Sequence, residues 1–237
     1  MSIRAILQKL TRIFANPLPK HIAHKLIANM PILAIDLEFN SLNIEHSKVL
    51  SIGWVAGINN QVDMSSAYYK VVRANVDLEQ SPVIHGLVQD DIDKGSHIRE
   101  TFQALEAFAH SHIWVFHNSA KDLALLDKVA KDLGCYLPQV VTLDTLKIAA
   151  YELTKQHKVM PPNQATLTIC RDKLDLPPAP AHNALDDALA TLTLWFAQVS
   201  RLDPKNTLMV VDLNRTGALQ VVSIGRKTND MVTGSEP

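Results

Sequence analysis

Pro31-Ile32-Leu33-Ala34-Ile35-Asp36-Leu37-Glu38-Phe39 is the stretch around which this chain is organised. Four apolar residues, Ile32 to Ile35, run into two acids, and their number and branching predict a buried β-strand. Side chains alternate across a strand, so Asp36 and Glu38, two apart, leave on the same face. Carboxylates placed that way repel each other. Either the strand end stays in water, a pKa rises, or a cation sits between them. Hard divalent cations such as Mg²⁺ and Mn²⁺ suit an oxygen cluster of this kind. Taken alone, the pair fits a solvated strand end as well as a metal site.

The totals narrow the classes. At 237 residues the chain can bury one large core or two modest ones, and 47% hydrophobic with 20% charged residues leaves little room for extensive disorder. A formal net charge of -1 excludes a global polycation, so any nucleic-acid contact must be local or metal-assisted. Cys135 and Cys170 are the only cysteines and form no Cys-x-x-Cys pair, which argues against a disulfide framework or structural zinc. No apolar run reaches the roughly 18 residues that span a membrane, and no signal peptide is read. The expectation is a cytoplasmic protein with no membrane partner.

Outward from the opening strand, residues 1–30 form a basic extension with Arg4, Lys9, Arg12, Lys20 and Lys25 ahead of the first acid, Asp36. Ile3, Ile6, Leu7, Leu10, Ile13 and Phe14 predict one face of a helix there. That helix reads as a terminal helix packed on the domain, a transit peptide, a membrane-surface helix or a basic arm. Downstream, Lys48–Ala56 and Ala67–Val72 predict strands around the turn Asn59-Asn60. Arg99–His110 predicts a helix, Ile113–Phe116 a strand, Ser119–Leu133 a helix stopped by Gly134, Val140–Leu143 a strand and Thr145–Gln156 a helix. Meander first and β-α-β-α afterwards means a mixed five-stranded sheet flanked by helices, an α/β domain. Helix Ala184–Val199 follows a proline-rich loop, with Asn183 as its N-cap. Leu208–Leu213 and Leu219–Ile224 read as a C-terminal hairpin, and the last ten or so residues as a frayed tail.

Further acids sit where strands end and helices begin, the place where open α/β sheets gather ligands. Asp122 follows the strand ending at Phe116 and lies in the first turn of the next helix. Asp187 opens the long apolar helix, and His182 stands five residues before it, in a loop. Histidine titrates near neutrality and is a natural base for deprotonating water. Each residue alone is as well explained by helix capping or chance.

The ordered set carries more. Asp36-Leu37-Glu38, His117-Asn118 with Asp122, Asp144-Thr145, and His182-Asn-Ala-Leu-Asp-Asp187-Ala resemble the motifs of the DEDDh 3′–5′ exonucleases, the group of the DNA polymerase III ε subunit, RNase T and oligoribonuclease. The likeness spans about residues 31 to 200. His85-Gly86-Leu87 is similar to a family segment between the first two motifs. A sister class places tyrosine four residues before the last aspartate, where this chain has Asn183; the histidine class places its base five before, at His182.

That resemblance implies an RNase H-like fold over residues 31–202, flanked by the extensions 1–30 and 203–237, and two divalent ions, Mg²⁺ or Mn²⁺. Asp36, Glu38 and Asp187 would hold the ion that activates water, Asp36 would bridge to the second, and Asp122 would contact that one. His182 would be the general base. Leu37, Phe39, His85 and Asn118 would meet the substrate. The implied reaction is 3′–5′ hydrolysis of single-stranded nucleic acid, DNA favoured and RNA possible, releasing nucleoside 5′-monophosphates. Phe39, Asn40 and Ser41 replace the threonines and glycine usual after the first motif, a form closer to RNase D and the deadenylases. Lys121 replaces an aromatic before Asp122. The alternatives are an RNA-trimming enzyme and a weakly catalytic binding module, with a polymerase or a second copy of the chain as partner.

Overall fold

The computed structural model describes residues 18–41, 43–76, 86–159, 161 and 164–225. The helix expected over residues 3–14, His85 and the expected frayed tail lie outside them. A short helix α1 (Lys20–Ala23) and a 3₁₀ turn (Ile27–Asn29) lead into the meander β1 (Ile32–Phe39), β2 (Val49–Ile58) and β3 (Gln61–Val71). Helices α2 (Gln89–Asp93) and α3 (Ile98–Glu106) precede β4 (Ile113–Phe116), α4 (Ala120–Leu133), β5 (Tyr136–Asp144) and α5 (Thr145–Lys155). The chain then forms α6 (Leu167–Asp172), the long α7 (Ala184–Leu202), a 3₁₀ segment (Val210–Thr216) and β6 (Leu219–Gly225).

Among the described residues the strands make one mixed sheet in the order β3-β2-β1-β4-β5-β6. β1 pairs antiparallel with β2 and parallel with β4, and β5 runs parallel to β4. The β2–β3 turn explains why β3 begins at Gln61, earlier than read from sequence. Asn59 and Asn60 both take positive φ, 53° and 58°, and Ile58 pairs directly with Gln61. Two central residues at positive φ make the tight primed turn that matches strand twist, and asparagine tolerates that conformation.

Period-two alternation along β1 sorts its side chains into two apolar layers. Ile32 and Ala34 share one layer with Leu192, Trp195 and Val199 of α7. Leu33, Ile35 and Leu37 join the opposite layer, with Phe102 and Leu105 of α3 and Leu125 and Leu126 of α4. Each such buried side chain contributes roughly 1.5–3 kcal/mol over its exposed state. Asp36 and Glu38 continue the even-numbered set, so they emerge on the α7 face.

The carboxyl end corrects the expectation of five strands and a separate hairpin. Only the second β-like run is a strand. β6 pairs antiparallel with β5, Leu219 opposite Leu143 and Ile224 opposite Leu137, and becomes the sixth strand. The first run, apolar at Met209, Val210, Val211 and Leu213, is instead drawn into 3₁₀ turns by local side-chain bonds. Asp212 accepts the Met209 amide at 2.8 Å, and Asp203 accepts those of Thr207 and Leu208 at 2.9 Å each. Acids that satisfy nearby amides override β-propensity in this way. This segment packs on the other extension: Ile27 donates to Leu208 O and Val210 to Lys25 O, both at 2.9 Å. Ile22, Ile27 and Met30 are buried in the α7 layer. No helix of the described residues is long and apolar enough to cross a membrane.

Candidate active site

The site begins where β1 runs out of apolar residues. Asp36 pairs across the ladder with Gly53 of β2, and a bulge between Glu38 and Phe39 ends the regular register. Gly53, Val55 and Gly57 face α7 in turn. A Cβ at Gly53 would stand 2.3 Å from the Leu185 amide nitrogen, and one at Gly57 would meet the Phe196 ring end at 2.7 Å. The two glycines form a trough in which α7 lies close to the sheet. That closeness brings the first turn of α7, capped by Asn183 Oδ1 on the amides of Leu185 and Asp186, to the end of β1.

The result is three carboxylates together. Oxygens of Asp36, Glu38 and Asp187 lie within 4.8 Å of one another. Glu38 is buried, and Asp36 and Asp187 are partly so. Burial, and then the charge of Asp187, pushes Glu38 up to about 7. Burial, followed by the charges of Asp122, Glu38 and Asp187, holds Asp36 well above the ordinary carboxylate range. Asp187 is raised by burial and by Asp186, while the backbone N–H and imidazole of His182 oppose the rise. Like charges held this close without a counter-ion retain protons, and a hard divalent cation would displace them. The donor set, all oxygen and partly open on one side, fits Mg²⁺ or Mn²⁺.

Asp122 stands outside that group of three but acts on it. It is buried in the first turn of α4, and burial pushes it up to about 7, with Asp144 and Glu38 adding. Its own backbone N–H and that of Leu37 bond to it and pull the other way. Asp144, to which the sequence reading gave no role, builds this corner. Its Oδ1 accepts the amides of Asn118 and Leu146 at 3.0 Å each; its Oδ2 accepts the Ser119 amide at 3.1 Å and hydroxyl at 3.0 Å. One buried carboxylate thus caps α5 and fixes the turn that opens α4. The signal for it was an acid immediately before a helix.

The loop residues divide. His182 is exposed, sits at φ +68°, and its amide donates to Asp187 Oδ2 at 3.0 Å. Asn118 also takes positive φ, 65°. Phe39 is partly exposed at the end of β1, whereas the Leu37 side chain is buried in the α3/α4 layer. Only the Leu37 backbone reaches the acids. His117 has both ring nitrogens engaged, Nε2 on Ala165 O at 2.9 Å and Nδ1 on Thr145 Oγ1 at 2.8 Å, so it ties strand to helices. Lys121 is exposed.

Comparisons with known proteins give the family and the fold. The RNase_T family model, described as exonuclease, matches residues 33–195. A DNA polymerase III of PolC type from Mycoplasmopsis pulmonis (strain UAB CTIP) is 21% identical over 214 residues, covering 89% of this chain. The chain spans 14% of that protein's length. Among solved structures, cell-death related nuclease 4 superposes with a TM-score of 0.61 at 16% identity, over 82% of this chain and 67% of that one. The nuclease domain of 3′hExo, a DEDDh family member bound to rAMP, gives 0.59 at 15% identity, over 76% and 96%. At these identities the superpositions establish a shared fold.

Proposed function

The chain belongs to the RNase_T exonuclease family, the DEDDh 3′–5′ exonucleases, and from that premise we propose that it shortens single-stranded nucleic acid from the 3′ end by a two-metal mechanism with His182 as base. The observation that carries this reading is the meeting of Asp36, Glu38 and Asp187 oxygens within 4.8 Å, with Asp122 beside them.

In the proposed mechanism Asp36, Glu38 and Asp187 would hold one divalent ion, and Asp36 and Asp122 would hold the other. Such ions would lower the pKa of a bound water and offset charge on the scissile phosphate. His182 takes a proton from the attacking water as its oxygen bonds to phosphorus. The bond from phosphorus to the 3′ oxygen of the preceding nucleotide breaks, freeing a nucleoside 5′-monophosphate, and the departing 3′ oxygen takes a proton from solvent to become the new 3′-hydroxyl. Phe39, partly exposed beside the acids, offers a face on which the terminal base stacks. Leu37 and Asn118 flank the same corner.

DNA is the favoured polymer, supported by the PolC-type relative, and a polymerase is the partner that relative suggests. RNA trimming is the second reading, supported by the Asp-x-Glu-Phe form of the first motif and by the rAMP-bound neighbour. A gel assay on 5′-labelled single-stranded DNA and RNA of one sequence, in Mn²⁺ and in Mg²⁺, decides. A ladder shortening from the 3′ end, absent in EDTA and in Asp187→Ala, is expected, faster on DNA. No cleavage of either polymer by folded protein would overturn the reading.

A further inference from the structure

Arg171, in the last turn of α6, is buried, yet no carboxylate pairs with it among the described residues. Its guanidinium is spent on neutral oxygens. Nη1 donates to Ala190 O at 2.8 Å and to the Thr193 hydroxyl, both on α7, and Nη2 donates to Pro177 O at 2.8 Å. Nε has no partner among the described residues. A buried charge without a counter-ion is poor value for stability, because an apolar side chain of similar volume would avoid its desolvation. What the three bonds do accomplish is to fix one point of a loop against one helix.

That loop is the strap that carries His182. From Pro177 to Ala181 it reads Pro-Pro-Ala-Pro-Ala, and each proline fixes its own φ, so displacement at one end is transmitted along it. Its far end is tied by the His182 amide on Asp187 Oδ2 and by the Asn183 cap. Its near end is tied twice to Arg171: the Leu176 amide donates to the Arg171 carbonyl at 3.2 Å, and the guanidinium takes Pro177 O. Packing does not hold the middle. Pro177, Pro178 and Pro180 are exposed, and a cavity of about 110 Å³ lies among α6, the strap and the Asp187–Ala190 face of α7. His182 meanwhile keeps a backbone at φ +68° that histidine rarely adopts, so its placement depends on both anchors.

We propose that Arg171 is a positioning residue for catalysis, clamping the proline strap to α7 so that the His182 imidazole is presented over the acidic cluster. The proposal rests on the reading of His182 as the base, and a double-mutant cycle separates the two. Wild type, Arg171→Met, His182→Ala and the double variant are assayed on a 3′-labelled single strand in Mn²⁺, with thermal melting as the fold check. Misplacing a catalytic group by about 1 Å can cost on the order of 100-fold, so Arg171→Met is expected to lower kcat about 10- to 100-fold with KM within about twofold. In the His182→Ala background the same change is expected to cost nothing further. Arg171→Lys, which cannot span all three acceptors, is expected to rescue only partly. Wild-type kcat in Arg171→Met, or an equal fold-loss in both backgrounds, would overturn the proposal.

Should Arg171→Met not fold, Thr193→Val removes one acceptor of the guanidinium on an intact α7. A drop of roughly threefold that vanishes in His182→Ala is then expected, and an unchanged or additive rate counts against the clamp. Amide hydrogen exchange reads the strap without catalysis. The His182 amide is expected to exchange about tenfold faster in the Arg171 or Thr193 variant. Unchanged exchange refutes the clamp, whereas wild-type activity in His182→Ala with accelerated exchange refutes only the base.

Discussion

Gly53 lies directly across the β1–β2 ladder from Asp36, and a Cβ there would stand 2.3 Å from the Leu185 amide nitrogen. The acidic cluster therefore depends on a side chain that is absent. Backbone atoms cannot step aside as a side-chain tip can, so Gly53→Ala must push the start of α7, and Asp187 with it, off the sheet. Overpacking of this kind costs about 1–3 kcal/mol. The expected outcome is a melting temperature lowered by several degrees and a larger loss of Mn²⁺ affinity, read by titration calorimetry. An unaltered metal affinity would show that Asp187 is placed by other means.

Removing a charge from the cluster trades function for stability. Asp36 is raised by Asp122, Glu38 and Asp187 as well as by burial, so Asp36→Asn relieves repulsion in the metal-free protein while deleting the proposed bridging ligand. Activity is expected to fall by about 10³-fold or more, and the metal-free melting temperature at pH 8 to rise. Exposed Lys121 serves as the control: Lys121→Ala is expected to keep activity within about twofold.

Stability without metal has a definite pH slope. Glu38 and Asp122 are pushed up to about 7, whereas unfolded carboxylates titrate at about 4. Between those values the folded chain holds more protons than the unfolded one, so stability falls as pH rises. Their stabilising contribution is full below about 4 and gone above about 7, the reverse of a salt-bridged carboxylate. Melting in EDTA is expected to drop steadily from pH 5 to 8, and Mn²⁺ at pH 8 to reverse the drop. A flat profile would contradict the shared protons.

Asp144 is the corner whose loss spreads furthest. Its carboxylate serves the amides of Asn118, Ser119 and Leu146 and the Ser119 hydroxyl. Asp144→Ala strands buried donors at about 1–3 kcal/mol for each left unsatisfied and removes the α5 cap. A destabilisation of about 3 kcal/mol is expected in urea titrations, with weakened metal binding because the turn holding Asp122 loosens. Activity lost without destabilisation would instead point to a direct part for Asp144 in the chemistry.

Local chemistry made much of this chain readable. The apolar run ending in Asp36 and Glu38 dictated both the strand and the shared face, Gly134 stopped α4, and Asn183 capped α7 where its side chain suggested. What escaped was tertiary. Gly53 and Gly57 gain their meaning only from α7, which lies against both. His117 looked chemical beside Asn118 until Ala165 and Thr145 occupied both its nitrogens. Arg171 carried no sign of its bonds to Pro177, Ala190 and Thr193, which lie on separate segments. The β-like run Leu208–Leu213 is not a strand because its fate rests on the carboxylates of Asp203 and Asp212.

The sixth strand sets where the polypeptide can be cut. Leu219–Gly225 covers the outer edge of β5, and residues 18–30 cover part of the α7 layer, both beyond the family-matched span of 33–195. A fragment trimmed to that span would keep the four acids of the site and His182, yet make an edge of β5, whose Val140, Val141 and Leu143 are buried in the intact sheet. Such margins template intermolecular pairing. The shortest well-behaved fragment is therefore defined by edge protection and runs to Gly225, some way past the last residue that chemistry requires.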